Sequence, residues 1–324
     1  MKANFKVDAV ILWVDGNDPT HKNKMISYLD NPLKIQNKGM ATRYRQVNEI
    51  QYTVKSILKF APFIENIYIV TDNQTPEFLK ESNKATAYQK VKIIDHTTIF
   101  KGFEEVLPLF NSNAIETMVH KIPDLAEHYM YFNDDMFLMN PTTVADFFNQ
   151  EGLPIIRGKK MLFESNKLYK KIPLKLGLKK EKTKGYLGYK RKQDYFAKLM
   201  GETTKIAVDH TPFPMRKSIM ESFFQSNEAI FQNNIQHKFR NEKNVLIQSI
   251  SAYNELKYHP ELLVEDYQLA RFDSSNKPLF WMKLKLFLFK RNPKKIFLNI
   301  QSLDLYPKNK MKYILDWLDK LYIY

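Results

Sequence analysis

The sequence predicts an α/β fold built on a mostly parallel sheet and followed by a helical C-terminal part. Three observations predict it. Short apolar runs rich in Val and Ile alternate with stretches of helical periodicity. Four of those runs end in polar residues, at Asp15, Asp72, Asp95 and Asn133-Asp134-Asp135. That is the edge where open α/β sheets bind ligands. The chain of 324 residues holds only 9 Gly, with no Gly-x-Gly-x-x-Gly and no Walker A pattern, which argues against a dinucleotide site or a P-loop.

The elements follow in order. Residues 7–14 read as a buried parallel strand. The spacing of Val47, Ile50, Val54, Ile57 and Leu58 predicts a helix over 46–60, stopped by Pro62. Residues 67–70 and 91–94 read as the second and third strands. Ser112 is expected to cap a helix carrying Ile115, Met118, Val119 and Ile122. Residues 129–132 read as the fourth strand, and Thr142 or Thr143 starts a helix through Phe148. Residues 157–192 read as a basic, Gly-punctuated insertion, 216–257 as mostly helical, and 278–324 as alternating apolar and Lys-rich patches. The expected division is an α/β core over 1–156, an insertion and helical part over 157–257 that completes the active site, and a basic-aromatic region over 258–324.

The formal charge of +15 is uneven. Residues 157–192 hold 14 Lys/Arg against 2 acids, and residues 277–320 hold 11 against 3. Such an excess suits a polyanion or an anionic membrane surface; a solvated Lys-rich face is the plainer explanation. Lys285, Lys290, Arg291, Lys294 and Lys295 alternate with Trp281, Phe287 and Phe289, which suits an anionic leaflet. The apolar run 279–289 is too short to span a bilayer. There is no Cys, so thiolate metal sites and disulfides are excluded, in keeping with a reducing compartment. No zinc-finger spacing, RNP motif or helix-turn-helix points to nucleic acid. The N-terminus leads directly into a strand, so no signal peptide is expected.

The chemistry concentrates at residues 129–140, where apolar residues run straight into Asn133-Asp134-Asp135. Adjacent carboxylates beside a buried strand repel and lose hydration, and a divalent cation or a catalytic proton compensates. Asp134 and Asp135 are thus candidate ligands for Mg²⁺ or Mn²⁺. Asp15, Gly16 and Asn17 form a second acidic strand end, whose backbone amides can approach a phosphate. Arg43 can bind a phosphate bidentately. Glu49 in a first helical turn also has a structural explanation, the helix dipole. His120 has Glu116 one turn before it, a pairing distance on a helix. His210 stands after a short apolar run in Val208-Asp209-His210-Thr211-Pro212. Both are candidate general bases. Arg240 is a candidate for transition-state charge, and His96 and His237 read as surface or supporting residues.

Four blocks resemble the Stealth family of bacterial capsular and exopolysaccharide phosphotransferases. They are residues 7–19 (Val-Asp-Ala-Val-Ile-Leu-Trp-Val-Asp-Gly-Asn-Asp-Pro); Arg43 through Asn48-Glu49-Ile50-Gln51-Tyr52 to Asp72; Leu107-Pro108, Phe110-Asn111-Ser112 and His120 through Asn133-Asp134-Asp135; and a weaker block, His210-Thr211-Pro212-Phe213-Pro214 with His237, Phe239 and Arg240. The resemblance implies a sheet like that of GT-A nucleotide-sugar transferases. It implies transfer of a sugar-1-phosphate, N-acetylhexosamine-1-phosphate above others, from a UDP-sugar to a hydroxyl of a glycan acceptor, lipid-linked or polyanionic, with release of UMP. It implies a divalent metal and a cytoplasmic enzyme, peripheral on the inner face of the plasma membrane. It sets Asn48, Glu49 and Asn133 near the donor. Two other readings stand beside it: a conventional metal-dependent UDP-sugar glycosyltransferase releasing UDP, and a non-enzymatic polyanion-binding protein.

Overall fold

Val7, Ala9, Val10 and Ile11 have essentially no exposed surface, so the first strand is covered on both faces and needs apolar side chains at consecutive positions. The computed structural model describes residues 5–31, 47–80, 86–167, 188–272 and 275–323. In chain order they form β1 (Val7–Leu12), α1 (Pro19–Ile26), α2 (Glu49–Phe60), β2 (Ile64–Thr71), α3 (Glu77–Lys80), β3 (Val91–Asp95), α4 (His96–Ile99), α5 (Ser112–Met118), β4 (His128–Asn133), β5 (Met136–Leu138) and β6 (Ile156–Met161). There follow α6 (Tyr189–Leu199), β7 (Lys205–Val208), β8 (Phe213–Arg216), α7 (Lys217–Ser226), α8 (Glu228–Ile235), α9 (Ile247–Tyr258), β9 (Leu263–Val264), β10 (Leu269–Phe272), α10 (Leu279–Lys290), β11 (Phe297–Ile300) and α11 (Lys308–Tyr322).

The central sheet has the order β3-β2-β1-β4-β8. Its first four strands are parallel and β8 joins antiparallel at the edge. Leu12 lies opposite Val70 on one side and Asn133 on the other, and Thr71 lies opposite Asp95. The expected polar strand ends therefore share one edge. The one charge inside β1, Asp8, is satisfied there: its carboxylate accepts from Asn66 N and Nδ2, both at 3.0 Å, and from Ala126 N at 2.8 Å. Two three-stranded sheets, β10-β11-β5 and β7-β6-β9, flank the first.

Only Asp134 and Asp135 separate β4 from β5, so one tight turn joins the central sheet to the second. Helix α2 packs beneath it. Its buried Ile50, Val54 and Ile57 repeat at helical spacing and enter a core shared with β1, β5, β11 and α11. Each such burial stabilises by about 1.5–3 kcal/mol. Helix α11 closes that core: Tyr322 donates to the Leu138 carbonyl at 2.7 Å, and Tyr52 to Asp319 at 3.0 Å.

Several local expectations change. The helix expected over 46–60 starts at Glu49, because Asn48 takes a left-handed conformation with φ 61°; Asn tolerates this at low cost. The cap of α5 is Asn111, whose side chain accepts from Asn113 N at 3.2 Å, and Ser112 is the first helical residue. The helix expected after Thr143 is a single 3₁₀ turn, Val144–Asp146, held by a capping box between Thr143 and Asp146. In the basic stretch 157–192, β6 and the start of α6 are ordered elements, and 168–187 lie outside the described residues. Trp281 and Phe289 pack against Phe272, with ring centroids 6.3 and 5.6 Å away, and Lys285 donates to the Arg271 carbonyl at 2.8 Å. These three therefore face inward and do not suit a leaflet. No helix among the described residues is long and apolar enough to cross a membrane.

Candidate active site

A cavity of about 550 Å³ opens at the carboxyl edge of the central sheet. Its wall includes Trp13 and Val14 after β1, His96 after β3, Asn133, Asp134 and Asp135 after β4, Glu49 from α2, Glu116 from α5, Arg240, and Gln301, Ser302 and Asp304 after β11.

The acidic turn is gripped from both sides through its backbone. Thr53 Oγ1 on α2 donates to the Asp134 carbonyl at 2.7 Å. Asn299 Nδ2 on β11 donates to the Asp135 carbonyl at 3.0 Å. The backbone is fixed while both carboxylates remain on the cavity wall. Burial raises the pKa of Glu49 well above the usual carboxylate range, and the charges of Asp134, Asp135 and Asp304 push it further. Burial and the adjacent Asp135 raise Asp134, and burial raises Asp135. Asp135 keeps a buried Oδ1 with no hydrogen-bond partner. Four carboxyl groups thus converge where their charges act on one another. Among the described residues, no three His, Asp or Glu side chains already form a group that could hold a metal ion as they stand.

A cation and an amide share this cavity. Arg240 lines the cavity and donates to Ser112 Oγ at 2.7 Å. Asn133 accepts from the Tyr131 hydroxyl at 2.9 Å, which fixes its amide. Behind them Glu116 is buried, which raises its pKa, while the charge of Arg240 opposes the shift.

A second cavity of about 770 Å³ meets the first at Gln301, which lines both. His210 lies on its wall, in the turn between β7 and β8, stacked on Tyr189 with centroids 4.5 Å apart. Burial lowers the pKa of His210, against the opposing pull of Asp135 and Asp209. Asp209 is tied to Arg271 at 2.8 Å, and Arg271 reaches Gln301 at 3.2 Å. The rest of this wall is basic. Lys205 and Lys167 are paired with Glu164, while Lys159, Lys190 and Arg191 have no ion-pair partner among the described residues.

The structure brings Glu49, Asn133, Asp134, Asp135 and Arg240 to one cavity, with His210 next to it. It keeps others away. His120 is buried in a second core, stacked on Phe224 at 5.7 Å, with Nδ1 unpartnered; it lines neither cavity and does not pair with Glu116. Asn48 is exposed at the start of α2 and is not on the wall. Asp15, Gly16 and Asn17 form a turn just past Trp13 and Val14, outside the wall. Asp15 Oδ1 accepts from Asn17 N at 2.8 Å, and Gln74 exchanges hydrogen bonds with the Asp15 backbone at 2.8 and 3.0 Å. Arg43 lies outside the described residues. Asp72 is occupied by His21 at 3.0 Å and Lys24 at 2.8 Å, and Asp95 caps α4.

Sequence reasoning missed Asp304 and Gln301 and gave His96 only a surface or supporting place. The first two follow an apolar run, Ile296 to Ile300, that ends in Gln301-Ser302-Leu303-Asp304, the same signature used for the other strand ends. His96 had the same signal and is buried on the cavity wall, not on the surface.

Comparison with known proteins follows this geometry. Residues 5–32 match the model of Stealth protein conserved region 1, and residues 43–156 that of conserved region 2. The chain is 43% identical over 150 residues to the exopolysaccharide phosphotransferase cps2G of Lactiplantibacillus plantarum, which covers 46% of this chain and 41% of that protein. It is 32% identical over 242 residues to the capsular polysaccharide phosphotransferase cps1A of Actinobacillus pleuropneumoniae, covering 72% of this chain and 60% of that protein. The chain thus spans about two fifths to three fifths of the length of these curated relatives. Among solved structures, the galactosyltransferase LgtC with donor and acceptor sugar analogues aligns with 97% of this chain and 95% of its own, at 10% identity and a TM-score of 0.39. The two conserved regions contain β1, α2, β2 and the acidic turn of β4, and on them the chain belongs to the Stealth family.

Proposed function

We propose that this chain transfers a sugar-1-phosphate from a UDP-sugar to a hydroxyl of an acceptor glycan, building phosphodiester links in a capsular or cell-surface polysaccharide. N-acetylhexosamine-1-phosphate is the group the family favours. The observation that carries this reading is the convergence of Glu49, Asp134, Asp135 and Asp304 on a cavity that Arg240 also lines. An acidic cluster of this kind is stable at neutral pH with a cation among its oxygens.

The residues fit Mg²⁺ or Mn²⁺. The donors are all hard oxygens, and the buried Oδ1 of Asp135 has no protein partner. Asp134 and Asp135, with Glu49 and Asp304 beside them, would hold the ion, gathered by side-chain rotation and not received in a preformed cage. When bound it would neutralise the negative charge of the diphosphate.

The rest falls to the chain itself. The acceptor hydroxyl attacks the phosphorus that bears the sugar. A new O–P bond forms, the P–O bond to the nucleotide phosphate breaks, and UMP leaves. The anomeric bond stays intact. A ring nitrogen of His210, kept neutral by burial, takes the hydroxyl proton. Arg240 faces the charge that develops on the non-bridging oxygens. Asn133, locked by Tyr131, orients the sugar or its phosphate. Asp15, Gly16, Asn17 and Asn48 stand off the cavity wall and take no part in the step itself; Arg43 is proposed as a phosphate ligand from the sequence alone. The second cavity, with Lys159, Lys190 and Arg191 available, suits a phosphate-bearing acceptor. Residues 1–156 carry the donor core and 157–257 complete it. The favoured location is the cytoplasmic face of the plasma membrane, where lipid-linked acceptors are met.

The test is incubation with a panel of UDP-sugars, Mg²⁺ or Mn²⁺ and acceptor oligosaccharides, followed by phosphorus NMR and nucleotide analysis. UMP with a phosphodiester product is expected. UDP with a phosphate-free product would make the chain a conventional glycosyltransferase. Polyanion binding with no turnover on any donor would leave the non-enzymatic reading.

A further inference from the structure

Helix α10 is apolar on two opposite faces. Met282 and Leu286 are 0% and 1% exposed and enter the core. On the other side Phe280, Leu284, Phe287 and Leu288 are 71%, 53%, 49% and 54% exposed. Their spacing of four, seven and eight residues from Phe280 sets them on one helical stripe. An isolated exposed Leu means little, but four large side chains in one stripe form a contiguous patch, which marks an interaction surface.

The charge around the patch identifies what covers it. Residues 275–303 hold seven Lys/Arg and no acid. Lys277, Lys283, Lys290, Arg291 and Lys294 are exposed. Lys283 falls at the border of the stripe by helical spacing, and Arg291, the C-cap, closes its C-terminal end with its guanidinium over the Phe287 ring at 4.2 Å. Lys285, by contrast, is turned inward over Phe272 and Trp281, both at 4.7 Å. A protein partner would need an acidic rim around an apolar groove to match. An anionic bilayer offers both in the right order, with acyl chains below and phosphate headgroups around. The helix has 12 residues, about 18 Å at 1.5 Å per residue, so it lies in the interface and does not span it.

We propose that the outer face of α10 seats the protein on an anionic membrane surface. Phe280, Leu284, Phe287 and Leu288 enter the acyl boundary, and Lys277, Lys283, Lys290, Arg291 and Lys294 meet the lipid phosphates. The seat is coupled to the cavity by chain connectivity. Helix α10 is the crossover between the parallel strands β10 and β11, and β11 runs directly into Gln301, Ser302 and Asp304 on the cavity wall. The proposal gives residues to the membrane location favoured above, yet it does not depend on the transfer chemistry, since vesicle binding is read without donor or acceptor.

The experiment is flotation of the full chain with vesicles of phosphatidylcholine alone or mixed with an equal part of phosphatidylglycerol, at low and high salt. The wild-type protein is expected to float with the mixed vesicles and to lose at least about tenfold in binding on pure phosphatidylcholine or in high salt. The double substitution Phe280→Ser, Phe287→Ser should remove flotation while leaving the thermal transition in place. Lys283→Glu with Lys290→Glu should abolish the preference for the anionic lipid. If the wild type ignores both vesicles, or if the Phe280→Ser, Phe287→Ser protein still floats, the proposal fails. It fails equally if light scattering finds a dimer that the double substitution splits and vesicles bind neither form, since the stripe would then be covered by a second copy.

Discussion

Asp135 has a buried oxygen with nothing to bond, and burial and neighbouring carboxylates drive the pKa values of Asp134 and Glu49 upward, Asp135 acting on both. Removing one of these carboxyls should relieve repulsion in the free protein, so loss of activity would not reflect loss of fold. Asp134→Ala and Asp135→Ala are each expected to lose at least about a hundredfold in turnover and to melt no lower than the wild type. Steady-state kinetics and a thermal scan check both halves. The two histidines offer a sharper contrast. His210→Ala should lose about a hundredfold or more in kcat, as removal of a proton acceptor does. His120→Leu, a change inside an apolar core beside Phe224, should leave kcat within about twofold. Wild-type-like turnover of the His210 variant together with a dead His120 variant would reverse the assignment. In the sequence only the family resemblance favours His210 over its competitor His120, because a lone His carries no sign of whether it faces a core or a cleft. The Asp pair was legible because two charges directly after an apolar strand have few structural uses.

At the level of elements, the acidic turn depends on its two neighbours, α2 and β11, which hold it through Thr53 and Asn299. Thr53→Val keeps the shape and removes one hydrogen bond. It should cost about 1 kcal/mol of stability and lower kcat more than it raises the donor KM, because it frees the backbone that aims the carboxylates. Urea titration and initial rates measure these separately. Strand β1, the inner part of β2 and β4 could be read from sequence because burial on both faces demands apolar runs, while β3, whose Lys92 and Ile93 are exposed, was legible from its Val and Ile content and its polar end. The later strands could not. In β6 the outer half, Lys159-Lys160-Met161, is exposed, so it reads as part of a basic loop. Strand β9 has two residues, and β5 has three directly after the acidic turn. Such strands exist because a neighbour pairs with them, which a local pattern does not record. Asp304 differs: its strand-end signature was in the sequence, but only the pairing of β11 with β5 shows that it reaches the same cavity.

At the scale of the whole molecule, two histidines are folded into the protein without a charge. Burial pushes the imidazoles of His96 and His120 down to about 4. In the unfolded chain each takes up a proton near pH 6.5, so between about 6.5 and 4 the unfolded state binds more protons. The contribution of each ring is therefore full above about pH 6.5 and is lost as the pH drops to about 4, by on the order of 3 kcal/mol per group, while the raised carboxyls of Glu49 and Asp134 take up protons in the folded state and oppose that loss. The test is the difference between the wild type and His120→Leu: urea midpoints at pH 7.5 and pH 5 should show the variant gaining stability relative to the wild type at the lower pH, by up to about 2 kcal/mol. Equal changes in the two proteins would mean that this ring is charged in the native state. The cavity that this fold encloses draws its carboxylates from positions 49, 134, 135 and 304. On the ribosome the acidic turn emerges about 170 residues ahead of Asp304, roughly ten to thirty seconds of bacterial elongation. For that interval a nascent chain carries the acidic turn with one wall of the cavity missing. The proposed transfer would thus be withheld from partly made polypeptides until residues 301–305 have been added.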